Sequence, residues 1–317
     1  MELEQERLIN ELLWLSRGGT SSPWGPWPAE IATLKSRLRS IWNAGDYDRV
    51  SRHMHIEAEG FYRRLAVPPG SELLDVGCGS GELALIAARH GVHATGIDIA
   101  ENLIARARER ARVEGLSTSF YEADAEDLPF DDSAFDVVTS IGGAMFAPRP
   151  EVAARELLRV CRPGGTIAMA NWTPQGFIGK MFRLISDFVA PSGMREPVLW
   201  GDEAEVRALF GSGVSSLKFA RRNAALNFPF PPSEVVRFFR MYHGPANRAF
   251  ASLNRAGRMS LQAEMEELWS THNAAKGGFT KVDAEWLEMV AKTRAGGQDH
   301  GRRAFRRRKS INHTKER

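Results

Sequence analysis

Residues 73–81 read Leu73-Leu74-Asp75-Val76-Gly77-Cys78-Gly79-Ser80-Gly81, an apolar run that breaks into three alternating glycines. Leu73–Val76 has the length and content of a buried strand, and helical spacing over Leu83–Arg89 follows at once. Glycine at 77, 79 and 81 lets the backbone turn sharply between the two and lets another molecule approach without a Cβ in the way. The helix start beyond Gly81 aims unpaired N–H groups at the same space. A tight turn that holds nothing has the same composition, so the loop has to be read with its neighbours.

Toward the C-terminus the same rhythm repeats. Val92–Ile97, Ser117–Tyr121, Phe135–Thr139 and Thr166–Ala170 are strand candidates, separated by helical patterns over 101–114 and 151–160. The first of these helices carries Leu103, Ile104, Ala107 and Ala111 on one face. Strand–helix alternation at this pitch predicts an α/β fold, a doubly wound, mostly parallel sheet with helices on both faces. On such a sheet a ligand sits at the carboxyl ends of the strands, where the strand order reverses.

Beyond residue 171 the pattern loosens. Helices are expected over 178–189 and 202–210, strands over Val214–Ala220 and Asn223–Phe228 with Arg221-Arg222 between them, and helix again over 233–275 with a break at Gly244-Pro245. A last strand, Trp286–Ala291, falls inside 281–293. Before the glycine loop, residues 31–65 show helical spacing (Ile31, Leu34, Leu38, Ile41, Trp42, then Met54, Ala58, Phe61, Leu65) and end at Pro68-Pro69-Gly70. Residues 1–30, with their Gly/Ser/Pro-rich run over 16–28, read as a flexible extension. The expected organisation is that extension, one domain over 31–293 and a basic, disordered tail over 294–317. Within the domain, a ligand-binding core (66–171) carries additions at 31–65, 172–213 and 229–280 that would close over the site as a substrate lid.

Composition excludes several classes. A chain of 317 residues, 43% hydrophobic and 26% charged, is an ordinary globular mix. No run of 18 apolar residues predicts a membrane span, and the acidic N-terminus lacks signal-peptide order, so a cytoplasmic location is expected. Cys78 and Cys161 are too few for a disulfide framework or a Cys-rich metal site, and no metal-ligand cluster is seen. Residues 302–317 hold eight Lys/Arg against Glu316, which leaves four more acidic than basic residues in the body. Nucleic acid is therefore not the expected partner.

The chemistry lies at the strand ends. A dinucleotide loop needs G-x-G-x-x-G; here the third glycine comes one residue early and Glu82 stands in its place. Asp75 and Glu82 are wrong for a pyrophosphate and right for a ligand bearing a cation. Asp98, 17 residues past Gly81, ends the next strand, where a carboxylate can accept from both hydroxyls of a ribose; the alternative is a cap on the helix over 101–114. At the third strand end, Asp124 can accept from an adenine amine and the Ala125 N–H can donate to a ring nitrogen. Glu122, Glu126 and Asp127 read as a solvated acidic loop.

Together these strand ends resemble the class I S-adenosylmethionine-dependent methyltransferases, most of all the small-molecule group that includes the ubiquinone/menaquinone-biosynthesis C-methyltransferases. The matching elements are LLDVGCGSG at 73–81, GIDIA at 96–100, DAEDLPF at 124–130, FDVVTS at 135–140 and LLRVCRPGG at 157–165. The resemblance implies a seven-stranded sheet with its last strand antiparallel, and S-adenosylmethionine as cofactor. It implies roles as well. Asp75 and the loop Gly77, Cys78, Gly79 and Gly81 would hold the amino-acid part, and Asp98 the ribose. Ile99 would pack on the adenine, Asp124 and Ala125 would read its edge, and Ser140 and Ile141 would border the methyl.

A small-molecule methyl acceptor of apolar or aromatic character is the expected partner. No N/D-P-P-Y/F tetrapeptide follows the fourth strand and no Pro-Cys nucleophile occurs. The aromatic and Met residues of the later additions (Trp172, Phe177, Met181, Phe182, Phe228, Phe230, Phe238, Phe239, Met241, Tyr242) would line its pocket or pack the additions onto the sheet. A general base is needed only if the nucleophile arrives protonated; His53, His55, Tyr242 and His243 are the candidates, each also readable as structural. Three other functions stay open: an RNA or protein methyltransferase that uses the basic tail, a nicotinamide oxidoreductase, and a non-catalytic cofactor-binding protein.

Overall fold

The computed structural model describes residues 28–55, 58–189 and 195–295. Most of the expected extension (1–30) and tail (294–317) lies outside the described residues. The strands are β1 (Met54–His55), β2 (Glu72–Val76), β3 (His93–Asp98), β4 (Ser119–Glu122), β5 (Phe135–Ile141), β6 (Cys161–Trp172), β7 (Val214–Phe228) and β8 (Thr280–Thr293). They form one sheet in the order β1-β7-β8-β6-β5-β2-β3-β4. β2 pairs in parallel with β3 and β5, and so do β3 with β4 and β5 with β6. β8 runs against both β6 and β7. This is a seven-stranded, mostly parallel, doubly wound α/β sheet, extended by the two-residue antiparallel strand β1 on the edge of β7.

Helices flank it: α1 (Pro28–Trp42), α2 (Tyr47–Ser51), α3 (Ala58–Leu65), α4 (Glu82–Arg89), α5 (Glu101–Glu114), α6 (Pro150–Val160), α7 (Phe177–Phe188), α8 (Glu203–Phe210), α9 (Pro232–Tyr242), α10 (Gly244–Ser252) and α11 (Arg255–His272). The central strands carry apolar side chains on both faces: Leu73, Leu74, Val76 and Val138 are all inaccessible. That is the pattern of a parallel sheet covered on both sides. α5 buries Leu103, Ile104, Ala107 and Ala111, the face its spacing predicts.

Three expectations are corrected. Segment 214–228 is one strand, because Arg221 and Arg222 spend their charge across the ladder on Glu285 and Glu288 of β8, each at 2.8 Å. The helical stretch 233–275 breaks twice, not once. The second break, at Leu253–Asn254, is capped by Asn254 Oδ1, which accepts from the Gly257 N–H at 2.9 Å. The stretch 31–65 contains β1 between two helices.

Strand order reverses between β2 and β5, so the loops that follow them face each other across a crevice. Arg64 of α3, with Arg222, holds the buried Glu288, which fixes the N-terminal helices to the reversed strand.

Candidate functional site

Val76 hands the chain to the loop Gly77–Gly81, and its glycines do different jobs. Gly77 (φ +68°) lets the loop touch its counterpart after β5: a Cβ there would stand 2.5 Å from the Gly143 Cα. Gly81 (φ +83°) starts α4 and lies under the Phe120 ring, at 2.8 Å from where its Cβ would be. Gly79 (φ +55°) is the one that faces open space, with nothing within 4 Å. Ser140 Oγ donates to the Val76 carbonyl at 2.7 Å and accepts from the Ala144 N–H at 2.9 Å, so it clamps the two loops from beneath. Cys78 is buried, its thiol pushed well up first by burial and then by Asp75 and Asp98.

The carboxylates at the strand ends are held, not loose. Asp98 Oδ2 accepts from the Gly79 N–H and Oδ1 from the Ala100 N–H, each at 2.9 Å. It therefore does not cap α5, whose cap position is Ala100; the Asn102 N–H there goes instead to Asn43 Oδ1. Burial raises the Asp98 pKa against these backbone hydrogen bonds. Asp75 is 2% exposed and accepts from Thr139 Oγ1 at 3.3 Å. Burial above all, with the charge of Asp98 acting in the same direction, pushes it up to about 7.

At the third strand end, Asp124 Oδ1 accepts from the Glu126 N–H and Oδ2 lies 2.6 Å from Lys35 Nζ. Glu126 is not solvated, as its acidic surroundings suggested. It is buried, 2.7 Å from Lys35 and 2.8 Å from Arg149. Glu122 pairs with Arg39 at 3.2 Å.

Two adjoining cavities open here. One, of about 100 Å³, is bordered by Gly79, Asp98, Ile99, Asp124 and Ala125. The other, of about 700 Å³, is bordered by Asp75, Cys78, Ser80 and Met54. Tyr47, Gly77, Gly79 and Ile141 border both. Of the residues singled out in the sequence, the structure thus gathers Asp75, Gly77, Cys78, Gly79, Asp98, Ile99, Asp124, Ala125 and Ile141 around one crevice. Gly81 and Ser140 stand behind its wall.

The roof comes largely from the addition 31–65, through side chains that sequence reasoning did not assign to the site. Lys35, Leu38 and Trp42 of α1, Tyr47 of α2 and Phe146 after β5 line the first cavity. Ile31, Lys35, Leu38 and Trp42 follow helical 4-3-4 spacing, so a lysine within an apolar stripe was the available signal. The aromatic residues of the later additions pack on one another instead. Phe177 meets Trp269 at 4.5 Å, Phe239 meets Trp269 at 5.2 Å, and none of the ten borders either cavity. For nine of them the packing alternative holds, and Met241 is exposed.

The base candidates lie elsewhere too. His243 is buried, caps α10 by accepting from the Ala246 N–H at 3.4 Å, and is driven by burial down to about 3, which keeps it neutral. Tyr242 lies under the Arg49 guanidinium. His53 stacks on Phe228 at 4.9 Å. The side chain of His55 falls outside the described residues. Among the described residues no cluster of His, Cys, Asp or Glu could hold a metal, and no helix is long and apolar enough to cross a membrane.

A methyltransferase-domain family model matches residues 74–169, the stretch that builds the crevice floor. An uncharacterized protein of Mycobacterium tuberculosis is 37% identical over 244 residues, 75% of this chain and 89% of its own length. A demethylmenaquinone methyltransferase of Thermus thermophilus is 36% identical over 154 residues, 46% of this chain and 70% of its own. The crystal structure of the YcgJ protein of Bacillus subtilis superposes with a TM-score of 0.54 at 20% identity, covering 76% of this chain and all of that one.

Proposed function

The chain belongs to the class I S-adenosylmethionine-dependent methyltransferases, and from that premise we propose that it methylates a small acceptor of apolar or aromatic character. The crevice suits the cofactor on its own terms. Gly79 leaves open the space a Cβ would fill, and two carboxylates, the buried Asp75 and the half-buried Asp98, suit a ligand that carries both a cation and hydroxyls. Asp98 would hold the ribose while it keeps the Gly79 N–H. Ile99 would lie on the adenine, Asp124 and the Ala125 N–H would meet its edge, and Asp75 with the Gly77–Gly79 backbone would take the amino-acid end.

When bound, S-adenosylmethionine supplies a sulfonium methyl that is already electrophilic. The work left to the protein is placement: an acceptor atom about 3–3.5 Å from that methyl and in line with it. Ile141 borders both cavities, and Trp42 and Phe146 sit edge-on 4.8 Å apart above the first. Walls of this kind bind flat or apolar molecules and exclude water.

The observation that carries the reading is the neck between the two cavities, where the Ile141 side chain and the Tyr47 ring border both and Trp42 meets Tyr47 edge-on at 5.4 Å. The name of the Thermus thermophilus relative, a demethylmenaquinone methyltransferase, points to the same substrate class. Incubation with S-adenosylmethionine and a panel of quinols, phenols and amines, read by mass spectrometry, is expected to give methylated quinol or phenol. Methylation of RNA or protein alone, or cofactor binding with no product from any acceptor, would overturn it.

A further inference from the structure

We infer that Tyr47 lies against the sulfonium of the bound cofactor and is the residue by which this protein tells the charged methyl donor from its neutral thioether product. The inference rests on the cofactor assignment above. It starts from the two cavities. The first carries the adenosine-reading residues Asp98, Ile99, Asp124 and Ala125; the second carries Asp75. A molecule whose adenosine fills one and whose amino acid reaches the other has its sulfur at the neck between them. Four residues border both cavities: Gly77, Gly79, Ile141 and Tyr47. The two glycines offer backbone and Ile141 an alkyl face. Tyr47 alone offers a π-system, and an aromatic face attracts a cation held over it.

The ring is fixed before any ligand arrives. Trp42 meets it edge-on at 5.4 Å between centroids, and His243, held neutral by burial, lies tilted to it at 6.2 Å. The hydroxyl makes no hydrogen bond among the described residues. Burial, reinforced by the charge of Asp98, pushes its pKa up to about 12, so the phenol stays protonated and is no base. What it presents at the neck is a neutral aromatic face. A sulfonium placed there gains from that face, whereas the thioether left after methyl transfer does not.

The test compares the affinities of S-adenosylmethionine and S-adenosylhomocysteine by calorimetry. Asp75 and Asp98 also favour the cation, but they are present in every variant, so a change in the ratio isolates the ring. Tyr47→Phe is expected to keep the ratio of the parent. Tyr47→Leu is expected to lower it by about 2- to 30-fold, the range of a partly to fully desolvated cation–π contact, with S-adenosylmethionine losing more. A merely structural role would weaken both ligands alike, and an equal loss overturns the inference.

Should the leucine variant fail to fold, phenylalanines with one, two and three ring fluorines at position 47 preserve the shape while draining the face. S-adenosylmethionine affinity is then expected to fall stepwise while S-adenosylhomocysteine affinity stays level, and a flat series for both overturns the inference. If the parent protein binds neither molecule, it is the cofactor assignment that fails.

Discussion

Glycine serves opposite ends in the two halves of this molecule. In the loop over β2, a Cβ on Gly79 would meet nothing within 4 Å. In the additions beyond β6, the backbone carbonyls of Thr173 and Pro174 stand where a Cβ on Gly179 would go, and the Ile41 carbonyl stands where one on Gly244 would go. The same contrast governs the aromatic side chains. Those after β6 close on each other around Trp269, and those bordering the crevice come from α1, α2 and the turn after β5. The crevice loop keeps space open for a ligand at Gly79; around Gly179 and Gly244 the additions use theirs to hold the roof and sheet together. Substitutions in the two halves should therefore separate binding from stability.

The largest effect is expected in the packed half. Gly179→Val forces branched carbon into backbone and should cost about 3 kcal/mol of stability in chemical denaturation. A loss well under 1 kcal/mol would mean the additions are looser than described. In the open half the same change should act on binding. Gly79→Val puts its side chain into the crevice and should weaken S-adenosylmethionine about 100-fold, equivalent to a clash of roughly 3 kcal/mol. Its stability cost should stay near the ~1–2 kcal/mol of a left-handed residue with a Cβ. Parent-like affinity in a folded Gly79→Val protein would remove the ligand from this loop.

Asp98→Asn should come next, with roughly tenfold weaker cofactor binding. The amide keeps one acceptor where the carboxylate now serves both the Gly79 and Ala100 N–H groups and would also serve a ribose. Unchanged affinity would take Asp98 out of the ribose site.

The smallest effect is a slope with pH. The Asp75 carboxyl titrates at about 7 in the folded chain against an ordinary 3.8, so between those values the folded state holds a proton that the unfolded state has lost. Its contribution to stability therefore declines as pH rises through that window. A cationic ligand beside it has the opposite sign, since it favours the carboxylate, and affinity for S-adenosylmethionine should rise from pH 6 to pH 8. Asp75→Asn should flatten both trends; slopes that persist in that variant would belong to other groups.

The crevice floor was legible because its signals are local. Glycine at alternate positions, an acid at each strand end and helical spacing between them can each be read within ten residues. The roof was not, because its meaning is tertiary. Lys35 looks like one more solvated lysine until α1 is laid across Asp124 and Glu126. Tyr47 sits in a five-residue helix too short to show a period. Arg221 and Arg222 looked like a strand break because their partners, Glu285 and Glu288, lie 64 and 66 residues further on. The aromatic richness of the additions drew attention to a pocket because composition alone does not distinguish a wall from a core.

The N-terminal helices are also held by contacts distant in the sequence. Arg248 reaches the Ser40 hydroxyl at 2.7 Å across 208 residues, and Arg64 reaches Glu288 across 224. Such loops must close before their contacts repay the lost chain entropy. The helices before β2 thus take part of their seat from α10 and β8, and part from the floor, where Lys35 and Arg39 pair with Asp124, Glu126 and Glu122. A chain cut short after β6 would keep the floor strands β2–β6 and the Lys35 and Arg39 pairs to them, but would lose the Arg248 and Arg64 fastenings. Closure of the crevice is therefore tied to α10 and β8 as well as to its own floor, so elements far from the site in sequence help to complete it.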